Sequence, residues 1–352
     1  MTGIPGPDYP LELSLSRVRA PWGGWPDGTG EIRSLSGPPL ESLVLDGELA
    51  GYRLTQLVGR HPEALLGRGV ELDAREPFPV RLRFICTGRD LPVTVHPGDG
   101  YTLVHRLPAV GQELVLYVVD ARREGRLYCG WKEPFSSGRF QTAVSEDAVR
   151  DLLHSLRVRP GQAYTIPPGR PYALGAGLTL FEVARHSRAA FHLARARHRD
   201  LPDDLRDIVE QGAIRPEPIH GIVHSSGDSR IDHLCCTPRF SLRRFSVSGA
   251  LDLDLPGDRF RVYTGLRGSG RIARGFASAG CSVQPHQSVL VPAALEDLVL
   301  ESGQGMELLE VSPQSLAEGT LREVTELGFT DGEVASLGGP DYGPILMSYL
   351  QS

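Results

Sequence analysis

The chain has 352 residues and a formal net charge of −6, long enough for two domains of ordinary size. That mild acidity excludes a broad basic surface for nucleic acid or an anionic membrane. Lys132 is the only lysine, so nearly every permanent cation is a guanidinium, which meets oxyanions as a planar fork rather than a point charge.

Cys86, Cys129, Cys235, Cys236 and Cys281 form no Cys-x-x-Cys motif, and the adjacent pair is a poor disulfide candidate. A reducing, cytoplasmic compartment is therefore expected. Residues 1–10 lack a basic stretch followed by an apolar core, so no signal peptide is expected. No apolar run reaches membrane-spanning length. The expected partner is a small molecule, with no nucleic acid and no membrane.

In chain order, residues 1–39 are rich in Gly and Pro, with a strand-like piece at 11–15. Residues 50–67 read as a helix that buries Leu54, Leu57, Val58, Leu65 and Leu66. Alternation predicts strands at 79–85 and 91–96, with a turn around Gly88, and then at 113–120 and 126–130. Residues 145–155 open on Ser-Glu-Asp and continue apolar, which predicts a helix. Strands resume at 162–167 and 177–183. A polar connector follows, with a short helix at 202–211. From Ile231 the strand pattern restarts at 240–247, 260–266, 281–291 and 306–311. Beyond Gln314 come a helix-like piece, 316–327, and a Gly/Pro/Tyr-rich tail.

This restart divides the chain into an N-terminal domain (1–200), a connector (201–230), a C-terminal domain (231–313) and an extension (314–352). The expected fold class is all-β dominated: two antiparallel barrels with a few short helices.

Two stretches carry the fold signal. Val93-Thr94-Val95-His96-Pro97-Gly98-Asp99-Gly100-Tyr101 and Ile166-Pro167-Pro168-Gly169-Arg170-Pro171-Tyr172 have the form of the paired motifs of a cupin barrel. Around them, in order, stand Trp22-Gly23-Gly24, Gly30-Glu31, Leu35-Ser36, a Leu54-to-Gly67 segment with His61-Pro62, and Phe78-Pro79. This ordered set, running to about Pro313, resembles the type I, short bacterial phosphomannose isomerases, which are two-cupin proteins. The resemblance implies zinc held by a Gln and a His two apart, a Glu, and a second His. Those four positions fall here on Thr94, His96, Leu114 and Tyr172, so only His96 matches. Glu113 lies one residue from the Glu position, and a one-residue slip turns a strand side chain to the other face. The expectation is a degenerate metal site, with no cofactor bound; zinc on His96 and Glu113 would require a shifted register.

The same alignment puts the family's catalytic Arg on His192, its upstream Asp on Arg188, and a frequent Lys on Arg83. His96, Tyr172 and His192 are the candidate catalytic residues; Thr94, Arg83, Glu182, Arg185 and Arg188 are the candidate substrate-binding residues. Each has a plainer reading. Tyr172 could simply pack, and Glu182 could make a structural hydrogen bond. His192 could be an incidental change, and Arg185 and Arg188 could be solvated charges. Glu31 and Asp99 are expected to be mainly structural. A rival cluster, His220, His224, His233 and Cys235, has spacings that could converge on a metal, but no helical pattern to bring them together.

In the second domain, Gly268-Ser269-Gly270 fits a hairpin turn better than a phosphate loop, since no Lys and no helix follow. With His286 as its one interior histidine candidate, this barrel is expected to be structural.

A metal-free pocket of this composition suits an isomerase, epimerase, cyclase or lyase acting on a small oxygenated molecule. The alternatives are a non-catalytic sugar- or metabolite-binding relative and a zinc-dependent mannose-6-phosphate isomerase.

Overall fold

The structure is a computed structural model that describes residues 4–70, 72–134, 136–193, 215–275, 280–314 and 319–351. The helix expected at 202–211 lies outside these residues, as does the start of the one expected at 316–327. Strand makes up 41% of the structure and helix 18%, which matches the all-β expectation.

The first barrel is built from two antiparallel sheets. The larger runs in the order Ser16–Arg19, Thr29–Leu35, Val80–Cys86, Leu178–Arg185, Leu114–Ala121, Ala163–Ile166. The smaller runs Phe191–His192, Thr94–Val95, Tyr172–Leu174, Arg126–Trp131, Leu153–Arg157. Side chains alternate across a strand, and both faces of the larger sheet are covered. Leu114, Leu116, Val118, Leu180 and Ala184 pack inward on Leu127, Cys129, Tyr172 and Leu174. Leu82, Phe84, Val115, Tyr117, Phe181 and Val183 pack outward, in one core with Leu242, Val262, Leu290, Leu309 and Val311 of the second barrel. The two barrels therefore share a core.

Among the described residues the second barrel is one nine-stranded sheet, with Phe245, Tyr263, Val289, Leu300 and Leu308 in its interior. Two of its strands lie outside the expected 231–313. Leu11–Leu13 pairs antiparallel with Ser288–Val291, and Ile222–Ser226 pairs with Ser229–Cys236. An N-terminal strand thus joins the C-terminal barrel.

Other elements differ locally. The helix expected over 50–67 is broken into Leu54–Arg60 and Pro62–Leu66, because Pro62 cannot continue a helix through His61 but fits at the first position of a new one. Of the helix expected over 145–155, a single 3-10 turn forms at Val149–Leu152; the longer helix lies earlier, at Ser137–Ser145, capped by the Ser136 hydroxyl accepting from the Arg139 amide. Residues 153–157 instead form an edge strand paired with Arg126–Trp131; sheet pairing overrides local propensity there. Among its described residues the extension forms the helices Thr320–Glu326, Asp331–Ser336 and Gly339–Leu350. Val324, Val334, Leu337 and Leu346 pack with Ile222 and Cys236 of the second barrel. Among the described residues, no helix is long and apolar enough to cross a membrane.

Candidate functional site

Strand register assembles the site. In the smaller sheet of the first barrel Tyr172 stands opposite both Cys129 and Thr94, and Thr94 stands opposite His192. Directly opposed residues share a face, so Cys129, Tyr172, Thr94 and His192 form one row. Exposure rises along it: Cys129 and Tyr172 are buried, Thr94 is half-buried and His192 is exposed. The row therefore leads from the barrel core to solvent. Thr94 Oγ1 and His192 Nδ1 lie 3.0 Å apart, within hydrogen-bond distance.

His96 lies two residues beyond Thr94 and is buried. Its Nδ1 is 2.9 Å from the Ala189 carbonyl oxygen, which only accepts, so Nδ1 carries the proton. Nε2 is then the acceptor for the Tyr172 hydroxyl at 3.3 Å. Burial outweighs that backbone bond and lowers the His96 pKa to about 4. Burial, and then the charge of Glu182, push the Tyr172 hydroxyl well above its ordinary range. At neutral pH the site holds a neutral imidazole and a neutral phenol.

The facing sheet supplies the charges. Glu182, fully buried, stands opposite Arg83. Arg83 donates from Nε at 2.7 Å and from Nη2 at 2.8 Å to its two carboxylate oxygens, and Arg81 Nη2 donates at 3.0 Å. Arg83 Nη1 also reaches Glu31 at 2.8 Å. Burial works against ionising Glu182, yet Arg83 and Arg81 more than offset it and bring its pKa to about 2. Arg81 is a member that the sequence reading missed. The signal was available: Arg81 and Arg83 are two apart in one strand, hence on one face. Arg81 Nε is buried without a hydrogen-bond partner.

Several expected residues lie elsewhere. Arg185 is a buried tie: Nε donates to Glu76 at 2.9 Å, and Nη1 to the two Asp99 oxygens at 2.7 and 2.8 Å. Asp99 also accepts from Arg239 of the second barrel at 2.9 Å, so these residues join the barrels, and Arg185 is not open to a substrate. Arg188 is exposed. Glu113 faces away from the interior and accepts from Thr237 Oγ1 at 2.9 Å and Tyr342 Oη at 3.0 Å, while Leu114 packs inward. A shifted register that would make Glu113 a ligand is thereby overturned. His224 and His233 stack, with ring nitrogens 3.1 Å apart. His220 is exposed, and Cys235 packs in the shared core.

The zinc that the resemblance implies needs three or four convergent donors. The positions in question offer one imidazole, already bonded to Tyr172, a threonine hydroxyl and an aliphatic side chain; the nearby Glu182 is saturated by guanidinium groups. Among the described residues, no group of three or more His, Cys, Asp or Glu side chains could hold a metal ion. These residues do not fit such a zinc.

The extension, to which no role was assigned from sequence, supports the wall of the site. Asp341 accepts from Arg170 Nη1 at 2.7 Å, and both side chains are buried. The neighbouring Gly169 amide donates to the His96 carbonyl at 2.7 Å. The C-terminal helix is thus linked through the second motif to His96, just past the strand Thr94–Val95.

The fold is the two-cupin fold of the phosphomannose isomerases. The crystal structure of the mannose 6-phosphate isomerase from Bacillus subtilis superposes with a TM-score of 0.73 at 22% identity, over 87% of this chain and 99% of that one. Homologues of the chain are mannose-6-phosphate isomerases. ManA of Bacillus subtilis (strain 168) is 24% identical over 242 residues, 67% of this chain and 75% of the relative. The mannose-6-phosphate isomerase of Streptococcus mutans is 24% identical over 259 residues, 70% and 78% of the two chains. No family model matches the chain.

Proposed function

We propose that the first barrel is the active site of a mannose-6-phosphate isomerase-like enzyme that moves protons on a small, oxygenated, sugar-like substrate without a metal. The reading rests on one observation: Tyr172, Thr94 and His192 form a row from core to solvent, with His96 beside it and Arg81 and Arg83 on the facing sheet. The similarity to mannose-6-phosphate isomerases supports a sugar-phosphate-like substrate.

In this proposal His192, exposed and beside Thr94, takes a proton from the hydroxyl-bearing carbon next to a carbonyl and returns it to the carbonyl carbon, while the hydroxyl proton passes to the former carbonyl oxygen, so that carbonyl and hydroxyl exchange places. Thr94, and Tyr172 after its hydroxyl turns from His96, donate to the oxygen on which charge develops. One donor of this kind is worth about 3–4 kcal/mol in a dry site. Arg81 Nε, buried and unpartnered, is a further donor facing the same interior. His96 stays neutral and orients Tyr172. The five cysteines, none of them in a disulfide, suit a cytoplasmic setting.

The test is incubation of chelator-treated protein with fructose 6-phosphate in D2O, followed by NMR. Deuterium at the carbon beside the carbonyl supports the proposal. Saturable binding without exchange would replace it with a second reading, a ligand-binding protein. That reading is favoured by Glu182, whose charge is already met by two arginines.

A further inference from the structure

The second barrel contains a charge cluster that no step in the first barrel uses. Glu323, from the short helix Thr320–Glu326 of the extension, reaches three arginines. Oε2 accepts from Arg243 Nη1 at 3.0 Å; Oε1 accepts from Arg259 Nη2 at 2.6 Å and from Arg261 Nη2 at 3.3 Å. Arg243 has its own partner, Glu310, at 2.6 Å, and Arg259 has Asp258. Arg261 has Glu323 as its nearest carboxylate, with Asp258 at 4.0 Å and the Arg259 carbonyl, at 3.4 Å, as a further acceptor. Arg259 and Arg261 are 1% and 2% exposed, and the Nε of each is buried without a hydrogen-bond partner. Without Glu323, three guanidinium groups would face two carboxylates in a nearly dry site. Such a site attracts an anion.

The group that fills it sits on a seven-residue helix, anchored where Thr320 Oγ1 donates to Ser241 Oγ at 2.8 Å and Val324 packs on the second barrel. Only Thr320 and Val324 of that helix are buried. Glycines flank it, with Gly319 at φ +100° and Gly328 at φ +89°, conformations that favour glycine. A Cβ on Gly319 would come within 3.1 Å of the Arg259 guanidinium, so the backbone passes directly over the cluster. The Glu323 side chain is 27% exposed, which leaves a route for a solute to displace it.

We propose that Arg243, Arg259 and Arg261 form a second ligand site, for a small oxyanion carrying a carboxylate or phosphate, and that Glu323 is its built-in occupant. A bound anion replaces the Glu323 carboxylate and releases the helix; in its absence the helix closes the site. The extension is then a responsive cover on the second barrel as well as a brace for the first.

Calorimetry on the full chain with Glu323→Ala, titrated separately with succinate and inorganic phosphate, tests the site. The variant should bind at least one of them about tenfold more tightly than the unaltered chain, a difference of about 1.4 kcal/mol. The tighter ligand distinguishes the carboxylate from the phosphate. Adding Arg261→Met should abolish that binding. A folded Glu323→Ala chain that binds neither anion better than the unaltered chain overturns the proposal, as does binding that survives Arg261→Met. If Glu323→Ala does not fold, hydrogen exchange in the unaltered chain decides. Faster exchange across 320–326 in phosphate or succinate than in chloride of equal ionic strength supports the site, and unchanged exchange overturns it.

Discussion

Glu113 immediately precedes the strand that Leu114 opens, and the two side chains serve opposite sides of the barrel wall. Leu114 packs inward with Leu116 and Val118, whereas Glu113 accepts hydrogen bonds from Thr237 and Tyr342. One residue of register separates a carboxylate inside the first barrel from an aliphatic lining. Metal content should follow. Protein purified without added zinc is expected to carry well under one equivalent by elemental analysis. The variant Thr94→Gln, Leu114→Glu, Tyr172→His should retain more. Equal zinc in the two proteins would contradict this reading of the ligand positions.

His192 is exposed, so His192→Ala should change stability by no more than about 0.5 kcal/mol while abolishing proton exchange. Urea denaturation and deuterium incorporation measure the two effects. A variant that retains full exchange removes His192 from the acid–base role.

Tyr172→Phe keeps the ring but takes the donor away from His96 Nε2. A lost hydrogen bond of this kind should cost about 1 kcal/mol or somewhat more, read from the urea midpoint. Exchange should fall much further than stability if Tyr172 also stabilises charge on the substrate.

Stability should fall as the solution is acidified, in two ranges. His96 has its pKa lowered from 6.5 to about 4, so the unfolded chain binds its proton first. Its contribution is complete above about pH 6.5 and is lost as pH falls through about 4. Glu182 is lowered from 4.5 to about 2, so its contribution is complete above about 4.5 and is lost toward 2. Denaturant midpoints from pH 7 to 4 should decline less steeply in His96→Asn than in the unaltered chain. His186, also lowered to about 4 by burial, keeps part of the slope in both. An identical slope would show that His96 titrates alike in the folded and unfolded states.

Asp341→Asn should weaken the link between the C-terminal helix and the second motif. Arg170 is buried, and removing one partner of a buried pair costs about 3–5 kcal/mol. Asp341→Asn should therefore lower the thermal midpoint clearly, whereas Glu326→Gln, in an exposed pair with Arg322, should leave it nearly unchanged.

Much of the fold could be read in the sequence. Period-two alternation marked the core strands of both barrels, and the restart after the connector announced the second. Elements governed by distant pairing escaped that reading. Residues 153–155, read as the end of a helix, belong to a strand because Arg126–Trp131 offers an edge, and the strand at 11–13, legible as a strand, gave no sign of its partner nearly three hundred residues later. At the site, register placed Tyr172 beside Thr94 and His96, since motif spacing encodes facing. Arg185 was misread because nothing local reveals that Glu76 and Asp99 converge on it. The extension was opaque for the same reason: Asp341 and Tyr342 acquire meaning only against Arg170 and Glu113.

The most direct test of metal-free proton transfer is deuterium incorporation from D2O into fructose 6-phosphate and mannose 6-phosphate, with and without chelator. Exchange should be unaffected by chelator and lost in His192→Ala. Exchange that vanishes with chelator and returns on adding zinc would contradict metal-free transfer.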